Sequence, residues 1–118
     1  MLNSIGCDIE ETGNFINKTQ DDRFLKKIFT DNELKYCFSK KNPEQHLCAR
    51  FCAKEATIKA LNDIEPKNIN LKQIEVLNYD NGAPYIKIKN MDNIQVKVSL
   101  AHTKDNAIAF VILGKIVN

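Results

Sequence analysis

The spacing of apolar positions changes along the chain, and the change marks out its elements. Near the N-terminus Ile5, Cys7 and Ile9 alternate with Gly6, Asp8 and Glu10, which is the two-residue period of a strand. "TDNE" at residues 30–33 is a capping box, with Thr30 as N-cap and Glu33 reaching back, and it predicts a helix to about Phe38. "NPEQ" at 42–45 opens a longer helix, where Asn42 caps and Pro43 suits the first turn. At about 100° per residue, Leu47, Phe51, Ile58 and Leu61 form an apolar stripe, and Cys48, Cys52 and Ala56 widen it. Arg50, Lys54 and Thr57 fall on the opposite, wettable side. This helix is expected to end near Asn62. The period then returns to two. "QIEVLNYDNGAPYIKIK" predicts a hairpin turning at Asn81-Gly82, "IQVKVSLAH" alternates, and "AIAFVIL" is a continuous apolar run of the kind a buried strand shows. A strand, helices and then antiparallel strands make an α+β fold, expected as one domain over 1–118.

Composition narrows the function classes. The 118 residues are 43% hydrophobic and 27% charged, with a net charge of +2, too small to point to nucleic acid or an anionic membrane. Asp8, Glu10 and Glu11 interrupt the N-terminal apolar run, so no secretory signal is expected, and no run approaches a membrane span. Cys7, Cys37, Cys48 and Cys52 lack zinc-site spacing, and buried thiols in a reducing, cytoplasmic compartment are the expectation. From Lys18 to Lys59 the balance is more basic, which suits either a docking surface for an acidic partner or a solvated helix face.

Two carboxylates break the pattern. Glu55 falls among the apolar groups of the long helix, pointing away from its neighbour Lys54, with Lys59 one turn further on. A buried carboxylate needs a cation, a metal or a proton. Asp8 shares a strand face with Gly6, where a missing side chain lets a ligand approach the backbone. If this strand packs on the helix, Asp8 and Glu55 converge, and their repulsion is relieved by a divalent cation; oxygen-only ligands point to Mg²⁺. A structural Glu55–Lys59 pair, with Asp8 as a strand-end residue, is the alternative that the residues leave open. His102 ends a strand just before a turn, where surface or cap histidines are common. No catalytic triad, nucleophilic cysteine motif, GxGxxG or Walker A loop is present, so an enzyme of this sequence would take its nucleophile from a substrate.

Five stretches, in order and nearly spanning the chain, resemble holo-acyl-carrier-protein synthase, the short 4′-phosphopantetheinyl transferase family: "IGCDIEE", "RFLKKIFTDNELKYC", "ARFCAKEATIKAL", "NGAPY" and "VSLAHTKDNAIAFVI". The third carries an F-x-x-K-E-x-x-x-K pattern through Phe51, Lys54, Glu55 and Lys59. The resemblance implies that the phosphopantetheine arm of coenzyme A moves to a serine of an apo acyl carrier protein, releasing 3′,5′-ADP, in fatty acid biosynthesis. By the same resemblance Asp8 and Glu55 hold Mg²⁺ against the pyrophosphate, Glu55 receives the serine proton and Lys59 pairs with a phosphate oxygen. Arg50, His102 and Thr103 bind the adenosine end of coenzyme A, and the Gly82–Pro84 turn lines the nucleotide pocket. Short members of the family are homotrimers with coenzyme A between neighbouring subunits, so His102 of one chain is expected to serve the carboxylates of another. Asn14 stands where a basic residue usually contacts the acidic carrier, which leaves docking to Arg23, Lys26 and Lys27. "NDIEPK" replaces the family's glycine-rich loop, and Ala101 a common serine. Two other readings compete: a catalytically silent module that binds coenzyme A or a carrier protein, and a small structural domain with ordinary ion pairs.

Overall fold

A computed structural model describes residues 3–64 and 68–116. Strand β1 (Asn3–Glu11) is followed by helices α1 (Gly13–Ile16), α2 (Asp22–Ile28), α3 (Asp31–Phe38) and α4 (Pro43–Ile64). A 3₁₀ turn (Leu71–Gln73) leads to β2 (Ile74–Asn78), β3 (Pro84–Ile88), β4 (Ile94–His102) and β5 (Asn106–Lys115). One sheet has the order β1-β5-β4, the other pairs β2 with β3, and every pairing is antiparallel. The capping box forms as expected: Thr30 Oγ1 accepts from the Glu33 amide at 3.3 Å, and the Thr30 amide donates to Glu33 Oε1 at 2.8 Å. The expected α4 and β4 appear over nearly the expected residues, and α4 runs on to Ile64. Residues 65–67 of the "NDIEPK" loop lie outside the described residues.

Helix α4 is the axis of the core, and its burial corrects the amphipathic reading. Arg50, Lys54 and Thr57, expected on a wettable side, are buried. The cause is tertiary: the three-stranded sheet covers one side of α4, while α3 and β2 cover the other. A helix enclosed in this way can hide charge only where partners exist. Lys54 Nζ reaches Glu33 Oε1 at 2.7 Å and donates to the carbonyls of Leu71, at 3.0 Å, and Ile74, so all three of its hydrogens are used.

Strand β1 approaches α4 very closely. A Cβ on Gly6 would lie 1.9 Å from the Ala56 carbonyl oxygen. The glycine therefore admits the helix backbone, not a ligand, which corrects the expectation for that position. Ser4 Oγ donates to the Ala60 carbonyl at 2.6 Å, and the Cys52 thiol to that of Asp8 at 3.0 Å. The run "AIAFVIL" is buried on one side only. Ala107, Ala109, Val111 and Leu113 pack inward, while Ile108, Phe110 and Ile112 are 41–43% exposed. In register beside them stand Ile9 and Ile5, 65% and 61% exposed, and Cys7, the exposed cysteine among expected buried thiols. The sheet thus presents an uncovered apolar face on the side away from α4.

Candidate functional site

The close β1–α4 contact carries Asp8 to the flank of α4 that bears Glu55 and Lys59. Lys59 Nζ lies 3.1 Å from Asp8 Oδ1 and donates to the Cys7 carbonyl at 3.0 Å. The ion pair forms between strand and helix, so the alternative Glu55–Lys59 pair with a strand-end Asp8 does not describe the arrangement. The Asp8 side chain is 10% exposed and that of Lys59 55%. Asp8 Oδ2 is buried without a hydrogen-bond donor. Glu55 is half-buried, and burial, followed by the charge of Asp8, pushes its carboxyl up against the opposing pull of Lys59. Glu10, one strand period from Asp8, is pushed up to about 7 by burial first and then by Asp8 and Glu55. Lys59 is held above its ordinary value by its hydrogen bond to Asp8.

This is a cluster of carboxylates with an orphaned, buried carboxylate oxygen, which suits a hard cation. Among the described residues no group of three or more histidine, cysteine or carboxylate side chains is placed to hold a metal. A cation held by Asp8 and Glu55 would draw its other oxygens from solvent or substrate, the coordination habit of Mg²⁺. The residues fit that ion.

A second cluster lies across α4. His46 and Glu55 are nine residues apart, about 180° around a helix of 3.6 residues per turn. The His46 ring meets His102 at 6.3 Å and Tyr36 at 5.8 Å between centroids. Arg50 lies 3.9 Å over Tyr36 and donates to Asn78 Oδ1 at the turn end of the β2–β3 hairpin. It is 3% exposed, so it stands behind the hairpin turn rather than on open surface as a phosphate ligand would. His102 and Thr103 are exposed, and they open onto a pocket of about 240 Å³ that Ile9 and Ile108 also line. Gly82 has φ +90°, which fixes glycine at the expected turn, and Pro84 follows at the first position of β3. A larger groove of about 620 Å³, between Glu11, Glu44 and Lys104, is lined by none of the candidate catalytic, metal, cofactor or docking residues.

The expected residues thus fall into two half-sites on opposite flanks of α4: Asp8, Glu55 and Lys59 on one, Arg50, Gly82, Pro84, His102 and Thr103 on the other. Arg23, Lys26 and Lys27 form an exposed basic face on α2, apart from both. Sequence reasoning gave no role to His46, Tyr36 or Asn78. The available signal was position: Asn78 closes a strand opposite Pro84, and His46 lies one turn before Arg50.

Comparison with known proteins identifies the family. The family model "4'-phosphopantetheinyl transferase superfamily" matches residues 4–111. A holo-[acyl-carrier-protein] synthase of Thermodesulfovibrio yellowstonii is 41% identical over 96% of this chain and 99% of its own. The crystal structure of a holo-(acyl-carrier-protein) synthase from Bacillus anthracis, in complex with CoA (3',5'-ADP), is 32% identical, covers 97% of this chain and 96% of that one, and superposes with a TM-score of 0.78. The Helicobacter pylori holo-[acyl-carrier-protein] synthase, in complex with coenzyme A, is 25% identical, covers 93% and 99%, and has a TM-score of 0.80.

Proposed function

The chain belongs to the 4′-phosphopantetheinyl transferase superfamily, and we propose that it is a holo-acyl-carrier-protein synthase, moving the 4′-phosphopantetheine arm of coenzyme A to a serine of apo acyl carrier protein. Relatives 41% and 32% identical carry that name, and the second is in complex with CoA (3',5'-ADP) in its crystal structure. The observation that carries the reading in this chain is the Asp8–Lys59–Glu55 cluster, with a buried, donorless carboxylate oxygen beside an exposed ammonium.

Asp8 and Glu55 would hold Mg²⁺, which when bound neutralises charge on the pyrophosphate oxygens of coenzyme A. Lys59, the exposed member of its ion pair, places a point charge on a phosphate oxygen. The carrier's serine oxygen forms a bond to the phosphorus of the pantetheine arm, the pyrophosphate P–O bond breaks, and 3′,5′-ADP leaves. Glu55 receives the serine proton. His102 and Thr103 bind the phosphates at the adenosine end, with Arg50 behind them, and Gly82 and Pro84 line the nucleotide pocket.

Two half-sites on opposite flanks of one helix suit a substrate shared between neighbouring chains. An apolar sheet face left bare beside His102 supplies the contact through which the half-sites of neighbouring chains meet, in a homotrimer. The face formed by Arg23, Lys26 and Lys27 docks the acidic carrier. No helix among the described residues is long and apolar enough to cross a membrane. Four free cysteines suit a reducing cytoplasm, where fatty acid biosynthesis would supply the carrier.

The test is intact mass spectrometry of an apo acyl carrier protein incubated with this protein, coenzyme A and Mg²⁺. A gain of one phosphopantetheine on the carrier is expected. Binding of coenzyme A with no gain on any apo carrier would make the protein a silent binding module instead.

A further inference from the structure

We propose that Asn78 is a positioning residue for nucleotide binding, its amide relaying the fixed position of Arg50 on α4 to the carbonyl of Gly82. The inference rests on the reading that the Gly82–Pro84 turn faces the adenosine end of coenzyme A.

The relay begins at a side chain that has little freedom. Arg50 is 3% exposed, its guanidinium lies 3.9 Å over the Tyr36 ring, and its Nη2 donates to Asn78 Oδ1. A guanidinium only donates, so the amide of Asn78 is oriented with its oxygen toward Arg50 and its nitrogen toward the turn. Asn78 Nδ2 then donates to the Gly82 carbonyl at 2.9 Å. An acceptor and a donor on one short side chain are what the position requires, and asparagine supplies both.

The other hydrogen bonds of the turn are internal to the hairpin. Tyr79 donates to the Ala83 carbonyl at 2.9 Å, Gly82 to that of Tyr79 at 2.8 Å, and the Ala83 amide to Asn81 Oδ1 at 2.9 Å. They shape the turn without tying it to the helix. Among the described residues, the Arg50–Asn78–Gly82 chain is the hydrogen-bonded link between this turn and α4. Gly82, at φ +90°, has no side chain to limit its peptide; the Ala83 amide's bond to Asn81 Oδ1 holds one edge of that peptide within the turn, and the Asn78 donor holds its carbonyl edge relative to α4. A turn released from it must be ordered again each time a nucleotide binds, which weakens binding without touching the reacting atoms.

The test uses Asn78→Ala and Asn78→Asp in the full chain. Asn78→Asp keeps the acceptor for Arg50 and loses the donor to Gly82. Both variants are expected to raise the KM for coenzyme A about tenfold, the scale of one hydrogen bond to a charged or fixed group. Expected alongside are a kcat within about twofold of the parent, an unchanged KM for the carrier and faster amide exchange at Gly82 and Ala83. Calorimetry with 3′,5′-ADP should show the same loss of affinity without turnover. The relay is overturned if Asn78→Asp binds 3′,5′-ADP like the parent, or if kcat and both KM values move together with thermal stability. Should the parent protein neither bind 3′,5′-ADP nor modify an apo carrier, the reading beneath the relay fails and the relay with it. If it does both while Asn78→Ala is unaffected, the relay alone is wrong.

Discussion

Lys54 Nζ lies 2.7 Å from Glu33 Oε1, and neither side chain has any exposure to solvent. Burial holds the Lys54 ammonium below its ordinary value, and the charge of Glu33 opposes that. Glu33 in turn accepts from the Val76 amide at 2.9 Å, so this pair fastens α3, α4 and β2 together. Lys54→Met leaves a buried carboxylate without its cation and is expected to cost about 3–5 kcal/mol in urea unfolding. Glu33→Gln is expected to be costly as well, and the double variant to cost clearly less than the sum. Strictly additive losses would show that the two side chains do not act as a unit.

Asp8→Asn and Glu55→Gln are each expected to lower turnover by at least about two orders of magnitude, the scale of losing a group that stabilises developing charge. Each should also weaken Mg²⁺ binding measured calorimetrically with 3′,5′-ADP present. Asp8→Asn removes the partner of Lys59 as well, but that lysine is more than half exposed, so stability should change little. Full activity in either variant would remove it from the site.

Why these carboxylates were legible in the sequence and other features were not follows from range. The capping box at Thr30 and Glu33, the asparagine-glycine turn and the alternation of β4 are local, and each appears where its residues stand. Glu55 stood out because a charge interrupted an apolar stripe. Lys54 did not, because its partner comes from α3, 21 positions earlier in the chain. The helix pattern could not reveal that sheet and helices enclose α4 from both sides. Gly6 was rightly singled out, but only the fold shows that the approaching group is the Ala56 carbonyl. The short helices α1 and α2 carry no stripe of their own; Phe15 packs on Phe24, Phe29 and Phe51, contacts made across elements.

His46 gives stability a pH dependence of known sign. Burial lowers it from its ordinary value of 6.5, and Arg50, His102 and Lys40 act in the same direction against Glu44. Tyr36 of α3 meets the ring edge-on. As pH falls through about 6.5, the unfolded chain takes up a proton before the folded one does, so stability is lost on the acid side. The melting temperature of His46→Gln minus that of the parent should therefore rise from pH 8 to pH 5. A gap that stays constant over this range would show that His46 titrates as it does in the unfolded chain.

Carrier docking through Arg23, Lys26 and Lys27 should be sensitive to salt. All three are exposed on α2, and Asn14 on α1 adds no charge beside them. Rim charges act mainly on association, and the Debye length falls from about 10 Å at 0.1 M salt to about 3 Å at 1 M. Raising salt is expected to raise the KM for the carrier much more than that for coenzyme A, and Arg23→Glu to do the same at low salt. If Arg23→Glu weakens coenzyme A binding and spares the carrier, this face belongs to the nucleotide instead.

The bare sheet face predicts both assembly and a shared site. Ile5 stands in register with Ile112 and Ile9 with Ile108, and these four with Phe110 are 41–65% exposed, a contiguous apolar surface of the kind that marks an interface. The parent should sediment as a trimer at micromolar concentration. Phe110→Lys should sediment as a folded monomer that no longer transfers phosphopantetheine. A ring of like contacts brings the carboxylate half-site of one chain to the histidine half-site of the next. Asp8→Asn and His102→Ala should each be impaired alone, yet equal amounts co-expressed should regain activity. With random assembly, about a quarter of the contacts join an intact carboxylate half to an intact histidine half, so recovery toward about a quarter of the parent rate is expected. A monomeric parent with full activity would exclude the ring. A trimer whose mixed variants recover nothing would confine each site to a single chain.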